Sequence, residues 1–414
     1  MNNNTTSTFT QYQIFIIAIL AILQFTLILD FMVLSPLGAI LMKELSLQPN
    51  QFGLVVSAYA FSAGASGLLA AGFADRFDRK KLLLFFYVGF IFGTTLCAIA
   101  NSYEFLLIAR IVTGIFGGVI GSISFAIISD LFKLELRGRV MGFVQMAFSA
   151  SQILGLPIGL YLANAFGWHS PFWMIVGFSI IVGIAIVVYM QPITEHLKVQ
   201  NDRNPFEHLW KTLSKSDYLR AFLATILLAT GGFMLMPFGS AFSINNLKID
   251  IKDLPMLYLV TGIFTITFGP LSGKLSDKLG KYKVFFIGSI ITVIMVLIYT
   301  NLGPTPLWLV VVVNVLMFAG ITARMISASS LMTAVPQLQD RGAFMSINSS
   351  IQQISGGAAA ALAGVIVSEG SDGTMQNYPF LGIVVVASML ITIGMMYILN
   401  RQIQRKQLNK SQID

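Results

Sequence analysis

Long apolar runs broken by short polar clusters dominate the chain. The runs are continuous rather than alternating, so they fit helices and not the inward–outward alternation of a β-barrel. A helix needs ~20 residues to cross a bilayer. Runs of that kind centre near Ile22, Gly64, Phe90, Gly117, Leu154, Ile180, Gly232, Phe264, Thr292, Phe318, Ala360 and Leu390. Polar clusters such as Lys43–Gln51, Asp75–Lys81 and Asn101–Glu104 separate them. The pattern predicts an all-α membrane protein of twelve transmembrane helices. The first run is too long for a signal peptide and has no basic region before it, so it reads as a mature span.

The longest polar stretch, Gln191–Asp217, follows the sixth run and precedes the other six. It divides the chain into an N-terminal half (1–190), a linker (191–217) and a C-terminal half (218–414). The halves echo each other. FMVLSPLGA (31–39) returns as FMLMPFGSA (233–241), ADRFDRKK (74–81) as SDKLGKYK (276–283), and LRGRVMG (136–142) as DRGAFMS (340–346). The offsets of 201, 202 and 204 residues are nearly constant, as expected of two duplicated six-helix halves. Such halves place a substrate site between them, near the membrane midplane.

Composition agrees. The chain is 56% hydrophobic and 11% charged, against about 25% charged in a soluble domain. The net charge of +8 would suggest nucleic acid until the charges are placed. Of the 26 lysines and arginines, 21 fall at helix ends and loops of one face, and three (Lys43, Lys248, Lys252) at the other. The positive-inside rule then puts both termini in the cytoplasm, with a share of the basic residues touching anionic lipid. Nucleic acid is not expected as a partner. The single cysteine, Cys97, excludes a disulfide framework and reads as a small core residue. His196 and His208 sit twelve apart in a solvated linker without a metal-site partner, and His169 is expected in an exposed turn.

Candidate chemistry rests on three charges inside the spans: Asp30, Arg110 and Arg324. A carboxylate at the centre of a membrane helix costs ~2.5–3.5 kcal/mol even on a lenient scale, so it usually has a use. At 1.5 Å per residue, Asp30 lies ~24 Å and Arg110 ~30 Å from the same face, a gap that an arginine spans. A pair would set desolvation of the acid against the pull of the guanidinium. It could carry a proton as access alternates, or it could be a static tie between helices 1 and 4. Arg324 has no buried acid in its half. It could hold an anionic group of a substrate, or snorkel towards the near helix end. Gln24, Gln145, Gln152, Asn314, Asn348, Gln352, Gln353 and Met234 are candidates for a cavity wall, although helix–helix contact is the commoner use. Gly231, Gly232 and Pro237 permit a kink in helix 7. Gly356, Ala360 and Gly364 form a close-packing face on helix 11. GPLSGKL (269–275) fails as a P-loop, so no ATP site is present and energy must come from an ion gradient or the substrate itself.

GKLSDKLGKYK (273–283) and AGFADRFDRKK (71–81) resemble the loop between helices 2 and 3 of the major facilitator superfamily, at the family's two positions. The first copy has Ala71 and Asp78 where the pattern has glycines. Arg110 and Gly114 resemble the family's helix 4 R-x-x-x-G motif, and LGLPIGLYLANAFGW (154–168) resembles helix 5 of the twelve-span drug:proton antiporter or arabinose-efflux-like branch. Gln152, Leu160 and Tyr161 stand where the stricter antiporter signature has glycines. The resemblance covers essentially the whole chain. It implies the twelve-helix fold, and a cytoplasmic latch in which Asp75 caps a helix of the other half and Arg79 bridges to Asp130, with Asp277 in the second copy. The plainer reading of those loops is a basic anchor. It further implies a monomeric, proton-coupled exporter of a hydrophobic or drug-like small molecule in the bacterial inner membrane. The partners would be protons, lipid and substrate, with no cofactor, metal or enzymatic activity. The alternatives are an importer or facilitator of an anionic or lipid-like solute, and a non-transporting receptor or scaffold.

Overall fold

The computed structural model describes residues 9–70, 76–132, 150–198, 205–337 and 340–411, and residues 136, 140, 141, 143, 144, 146 and 147. Its helices are α1 (Gln11–Glu44), α2 (Pro49–Ala70), α3 (Arg79–Ala98), α4 (Tyr103–Leu131), α5 (Leu156–Phe166), α6 (Ser170–Tyr189) and α7 (Pro205–Leu213). They continue as α8 (Ser216–Phe233), α9 (Gly239–Asn245), α10 (Leu254–Leu279), α11 (Lys281–Thr300), α12 (Leu307–Thr333), α13 (Arg341–Ile366) and α14 (Tyr378–Ser411). Among the described residues nine of these are long and apolar enough to cross a membrane unaided. The remaining three crossings depart from the plain pattern, each for a local reason. The fifth is α5 preceded by a π-helical turn at Ser151–Gly155. The seventh is broken between α8 and α9, where a kink is expected from sequence. Gly232 and Pro237 bracket non-helical turns, because proline cannot donate into the ladder. The eleventh, α13, carries Asn348, Gln352, Gln353 and several serines, which make it too polar to stand against lipid alone. With twelve crossings both chain ends lie on one face, called here the terminal face.

Helix starts are set by side chains at the membrane edge. Thr10 caps α1 through a reciprocal box: Gln13 N–H donates to its hydroxyl (3.2 Å), and Gln13 Oε1 accepts from Thr10 N–H (3.1 Å). Ser102 caps α4 through Phe105 N–H. Asp78, one of the two departures from the family loop, is the cap of α3. It accepts from Lys80 N–H and also from Ile193 N–H beyond α6.

Small residues set the helix spacing. A Cβ on Gly118 would lie 2.2 Å from the Ala63 carbonyl, so α2 and α4 touch backbone to backbone. The α13 small face works in two directions. Ala360 and Gly364 meet α2 at Gly53 and Pro49, while Gly356 meets Phe233. Large side chains such as Phe85, Phe92, Ile181 and Leu390 project outward, as lipid-facing helices require.

At the face away from the termini, spans 1–6 and 7–12 meet through neutral groups. Ser35 Oγ donates to the Met236 carbonyl, and Ser240 Oγ to the Ser35 carbonyl (2.8 Å). Ser57 Oγ donates to Gly357 O (2.7 Å), and Asn164 Nδ2 to Ile251 O (3.2 Å). A two-stranded hairpin, β1 (Ser368–Glu369) with β2 (Met375–Gln376), is held to α9 by the Asn246 amide. That amide gives and takes one hydrogen bond with Met375.

Two sequence expectations need correction. The linker is not simply solvated. It contains α7, whose Leu209 and Leu213 pack onto the apolar cluster around Phe222, Phe285 and Phe344. His169 is half-buried, stacked on Trp168 and hydrogen-bonded to the Ala100 carbonyl (2.9 Å), because the turn folds back on α3.

Candidate functional site

The glycines of α3 and α4 build the site. A Cβ on Gly93 would sit 2.6 Å from Thr113 Oγ1, and one on Gly114 would sit 2.5 Å from the Tyr59 carbonyl. Their absence of side chain lets α2 and α3 close on α4 at the level of Arg110. Arg110 then reaches α1. Its Nη1 donates to Asp30 Oδ2 at 2.7 Å and to the Asp30 carbonyl at 3.3 Å. Thr94 Oγ1, from α3, donates to the other carboxylate oxygen at 3.2 Å. The guanidinium lies over the Tyr59 ring at 4.5 Å. Both charged side chains are fully buried. Four helices thus converge on one carboxylate.

Burial without that company would be very unfavourable, since each ion loses its water. The pair, the threonine and the aromatic face replace part of that water, while Arg110 Nε and Nη2 find no hydrogen-bond partner among the described residues. The site also touches the other six spans. The Tyr59 ring lies 5.4 Å from Phe31, and Phe31 lies 5.9 Å from Phe233, where the seventh span breaks. Cys97 is buried beside Thr113.

The other candidate residues scatter. Asn314 donates to its own helix at Val310 O (3.0 Å), and Asn348 accepts from Thr225 (2.6 Å). Both are used in packing. Gln24, Gln352 and Gln353 are half-buried, and Gln24 Oε1 has no partner among the described residues. Met234 is buried in the break. Gln145 and Asp75 lie outside the described residues, as does the side chain of Gln152. Arg79 Nε meets Asp130 Oδ2 at 3.0 Å, and Asp277 is exposed at the end of α10. Arg324 does not snorkel. It is 3% exposed, and its guanidinium stands 5.8 Å from the Phe285 ring centre. An open apolar groove of about 450 Å³ between α2 and α4 is lined by Leu54, Phe61 and Ile111 among others, and does not reach Asp30.

Sequence reasoning missed Thr94 and Tyr59. Thr94 stands beside Thr95, three residues before Cys97, and a threonine pair in an apolar run is a signal too weak alone. Tyr59 carries no signal, since an aromatic in a span is ordinary. It also missed a clasp at the terminal face, where Lys215 Nζ (2.5 Å) and Tyr218 Oη (2.7 Å) both donate to Asp340 Oδ2.

The comparisons extend this geometry. The solved structure of a bacterial homolog of the human lysosomal transporter Spinster superposes with a TM-score of 0.74 at 15% identity, covering 95% of this chain and 98% of that one. The nucleoside transporter NupG superposes at 0.73 with 14% identity, covering 93% and 99%. In sequence, the MFS-type transporter YceJ of Bacillus subtilis (strain 168), itself uncharacterized, is 29% identical over 63% of this chain and 67% of its own length. Multidrug resistance protein 3 of the same organism is 26% identical over 57% of this chain and 42% of its own length. The Major Facilitator Superfamily profile matches residues 20–245 and again 221–412. Two matches in tandem, twelve crossings and the paired sequence motifs place this chain in the Major Facilitator Superfamily, a family of transporters.

Proposed function

We propose that the protein is a proton-coupled secondary transporter that exports a hydrophobic small molecule by alternating access. The observation that carries this reading is the fully buried Asp30–Arg110 pair, held by Thr94 and Tyr59. A transporter that couples to protons needs an acid whose charge can change inside the protein. Asp30 meets the need because its loss of charge, although costly, leaves Arg110 with two of its contacts. The guanidinium keeps the Asp30 carbonyl and the Tyr59 face. Proton binding at a carboxylate oxygen removes the ion pair, and proton release restores it. The aromatic contacts through Phe31 to Phe233 link that event to the broken seventh span.

Several observations support the remaining parts of the reading. The apolar side chains around the break, Phe233, Met234 and Phe238, suit a hydrophobic cargo that reaches it when the break opens. The multidrug resistance proteins of Bacillus subtilis among the relatives are consistent with export. The bias of basic residues supports a cytoplasmic orientation of the terminal face in a bacterial inner membrane. Purified protein in liposomes, with an imposed pH gradient and a panel of lipophilic substrates, tests the proposal. Uphill, gradient-driven movement of at least one substrate is expected, and its loss in Asp30→Asn with insertion intact. Wild-type rate and pH dependence in that variant would falsify the proton role.

A further inference from the structure

Arg324 is the second buried guanidinium, and its charge is unmet. Arg110 has Asp30. Arg324 has no ion pair among the described residues, and its Nε and Nη2 find no hydrogen-bond partner there. A guanidinium keeps its charge even when buried. The Phe285 ring, 5.8 Å away, offers a cation–π contact but no counter-charge and no hydrogen-bond acceptor in the plane of the guanidinium. An unmet polar group in a membrane interior is strongly unfavourable, so a ligand is called for.

The surroundings supply more donors. Helices α10 and α12 are parallel, both running towards the terminal face. They touch where Ser327 Oγ donates to Ser276 Oγ at 3.2 Å. Arg324 precedes Ser327 by three residues on one helix, and Ser272 precedes Ser276 by four on the other, so the two lie at the same level. All four are at most 3% exposed. Buried hydroxyls nearby satisfy themselves on the carbonyl four residues back, as Thr261 does with Leu257 in α10 and Ser289 with Phe285 in the neighbouring α11. Ser272 Oγ makes no hydrogen bond among the described residues.

We propose that Arg324, Ser272 and Ser276 form an anion-binding site between α10 and α12. The guanidinium supplies charge and the N–H donors of Nε and Nη2, and the serines supply hydroxyls that rotate to donate. Water would satisfy the donors but leave the charge, which selects an anion. The same chemistry fits a resident inorganic anion or the carboxylate or phosphate of a cargo molecule. The proposal is independent of Asp30 and of proton coupling.

Thermal unfolding of the purified chain, followed by fluorescence of its four tryptophans, tests it at constant ionic strength in gluconate, chloride, inorganic phosphate, and benzoate with benzamide as neutral control. A saturable stabilisation over gluconate is expected for at least one of chloride, phosphate or benzoate, and none for benzamide. Chloride or phosphate acting alone identifies a resident anion, and benzoate acting alone identifies an organic head group. Arg324→Gln should abolish the effect, and Ser272→Ala should weaken apparent affinity about tenfold, as loss of a charge-assisted hydrogen bond does. Should Arg324→Gln fail to fold, Ser272→Ala and Ser276→Ala decide, and wild-type affinity in both overturns the site. So would the absence of any anion-specific stabilisation, or an equal response in Arg324→Gln.

Discussion

A double-mutant cycle on Asp30 and Arg110 tests whether the buried pair is one unit. At 2.7 Å and an effective dielectric near 20, the attraction is about 6 kcal/mol. Desolvation of two buried ions takes back a similar amount, so the intact pair adds little net stability. Removing one charge is another matter. Asp30→Asn leaves Arg110 with only the Asp30 carbonyl and Tyr59, and Arg110→Gln leaves Asp30 with only Thr94. Each single change should destabilise by ~3–5 kcal/mol. Making both changes removes both charges and leaves two amides that can bond each other, so the loss should stay below ~2 kcal/mol. The coupling energy then exceeds that of ordinary neighbours, ~0.5–3 kcal/mol. Membrane proteins rarely unfold reversibly, so the readout is the order of melting temperatures at one heating rate. The double variant should melt above both singles. If it melts below both, with the losses adding, the two residues act separately and the reasoning fails.

Four further outcomes follow from the contacts. Thr94→Val should destabilise by ~1–3 kcal/mol by leaving one carboxylate oxygen unmet, and Thr94→Ser should restore most of the loss in the same melting assay. Gly118→Val should disrupt the α2–α4 contact and lower the melting temperature more than any lipid-facing substitution at Phe85, because the Ala63 carbonyl cannot move aside. Gly64→Leu should part α2 from α13, since its Cβ would meet Ile354 Cγ1 at 2.6 Å and Ser350 O at 3.0 Å; spin labels on the two helices should report a longer distance, and an unchanged one refutes it. At the terminal face the hydrogen bond to Asp340 raises the Lys215 pKa. A raised pKa stabilises the fold fully below the unfolded value, near 10.4, and is lost as pH rises through the folded value. Lys215→Met should therefore lower the melting temperature slightly at pH 8, by less than ~1 kcal/mol because the lysine is 42% exposed, and the difference should vanish at strongly alkaline pH.

Much of the architecture is legible in the sequence because a membrane imposes a length rule on every crossing. Where the rule is relaxed, at the fifth, seventh and eleventh crossings, the runs are still countable but the reason they are tolerated is not. The polar face of α13 is tolerated because α2 covers it, and the break between α8 and α9 because α1 covers it through Ser35, Ser240 and Gly38. A single sequence does not show which helix lies alongside which. The Asp30–Arg110 contact was approachable because depth along a helix is countable and both charges are rare. Thr94 and Tyr59 were not, since only the neighbouring helix gives them meaning. Arg324 shows the same limit from the other side: its distance from the helix end suggests snorkelling, but Phe285 and the close α11–α12 contact at Gly288 bury it.

The placement of charge makes a mechanical argument. The ion pairs Asp30–Arg110 and Arg79–Asp130 lie within the first six spans, and Lys215–Asp340 ties the end of the linker to the last six. The polar contacts described between the two groups at the face away from the termini are hydroxyl or amide groups meeting backbone carbonyls. Each such neutral bond contributes only ~0.5–1.5 kcal/mol net, because water or another carbonyl can replace it. Parting the two groups at that face therefore breaks weak, replaceable bonds and leaves the strong ones inside each group intact. The asymmetry of the repeat fits this division. Counting 201 to 204 residues on from Asp30 and Arg110 reaches Gly231–Met234 and Val311–Asn314, which contain no charge. One group carries the buried pair and the other carries the break that can respond to it. Phe31 and Phe233 lie at the contact where the two meet.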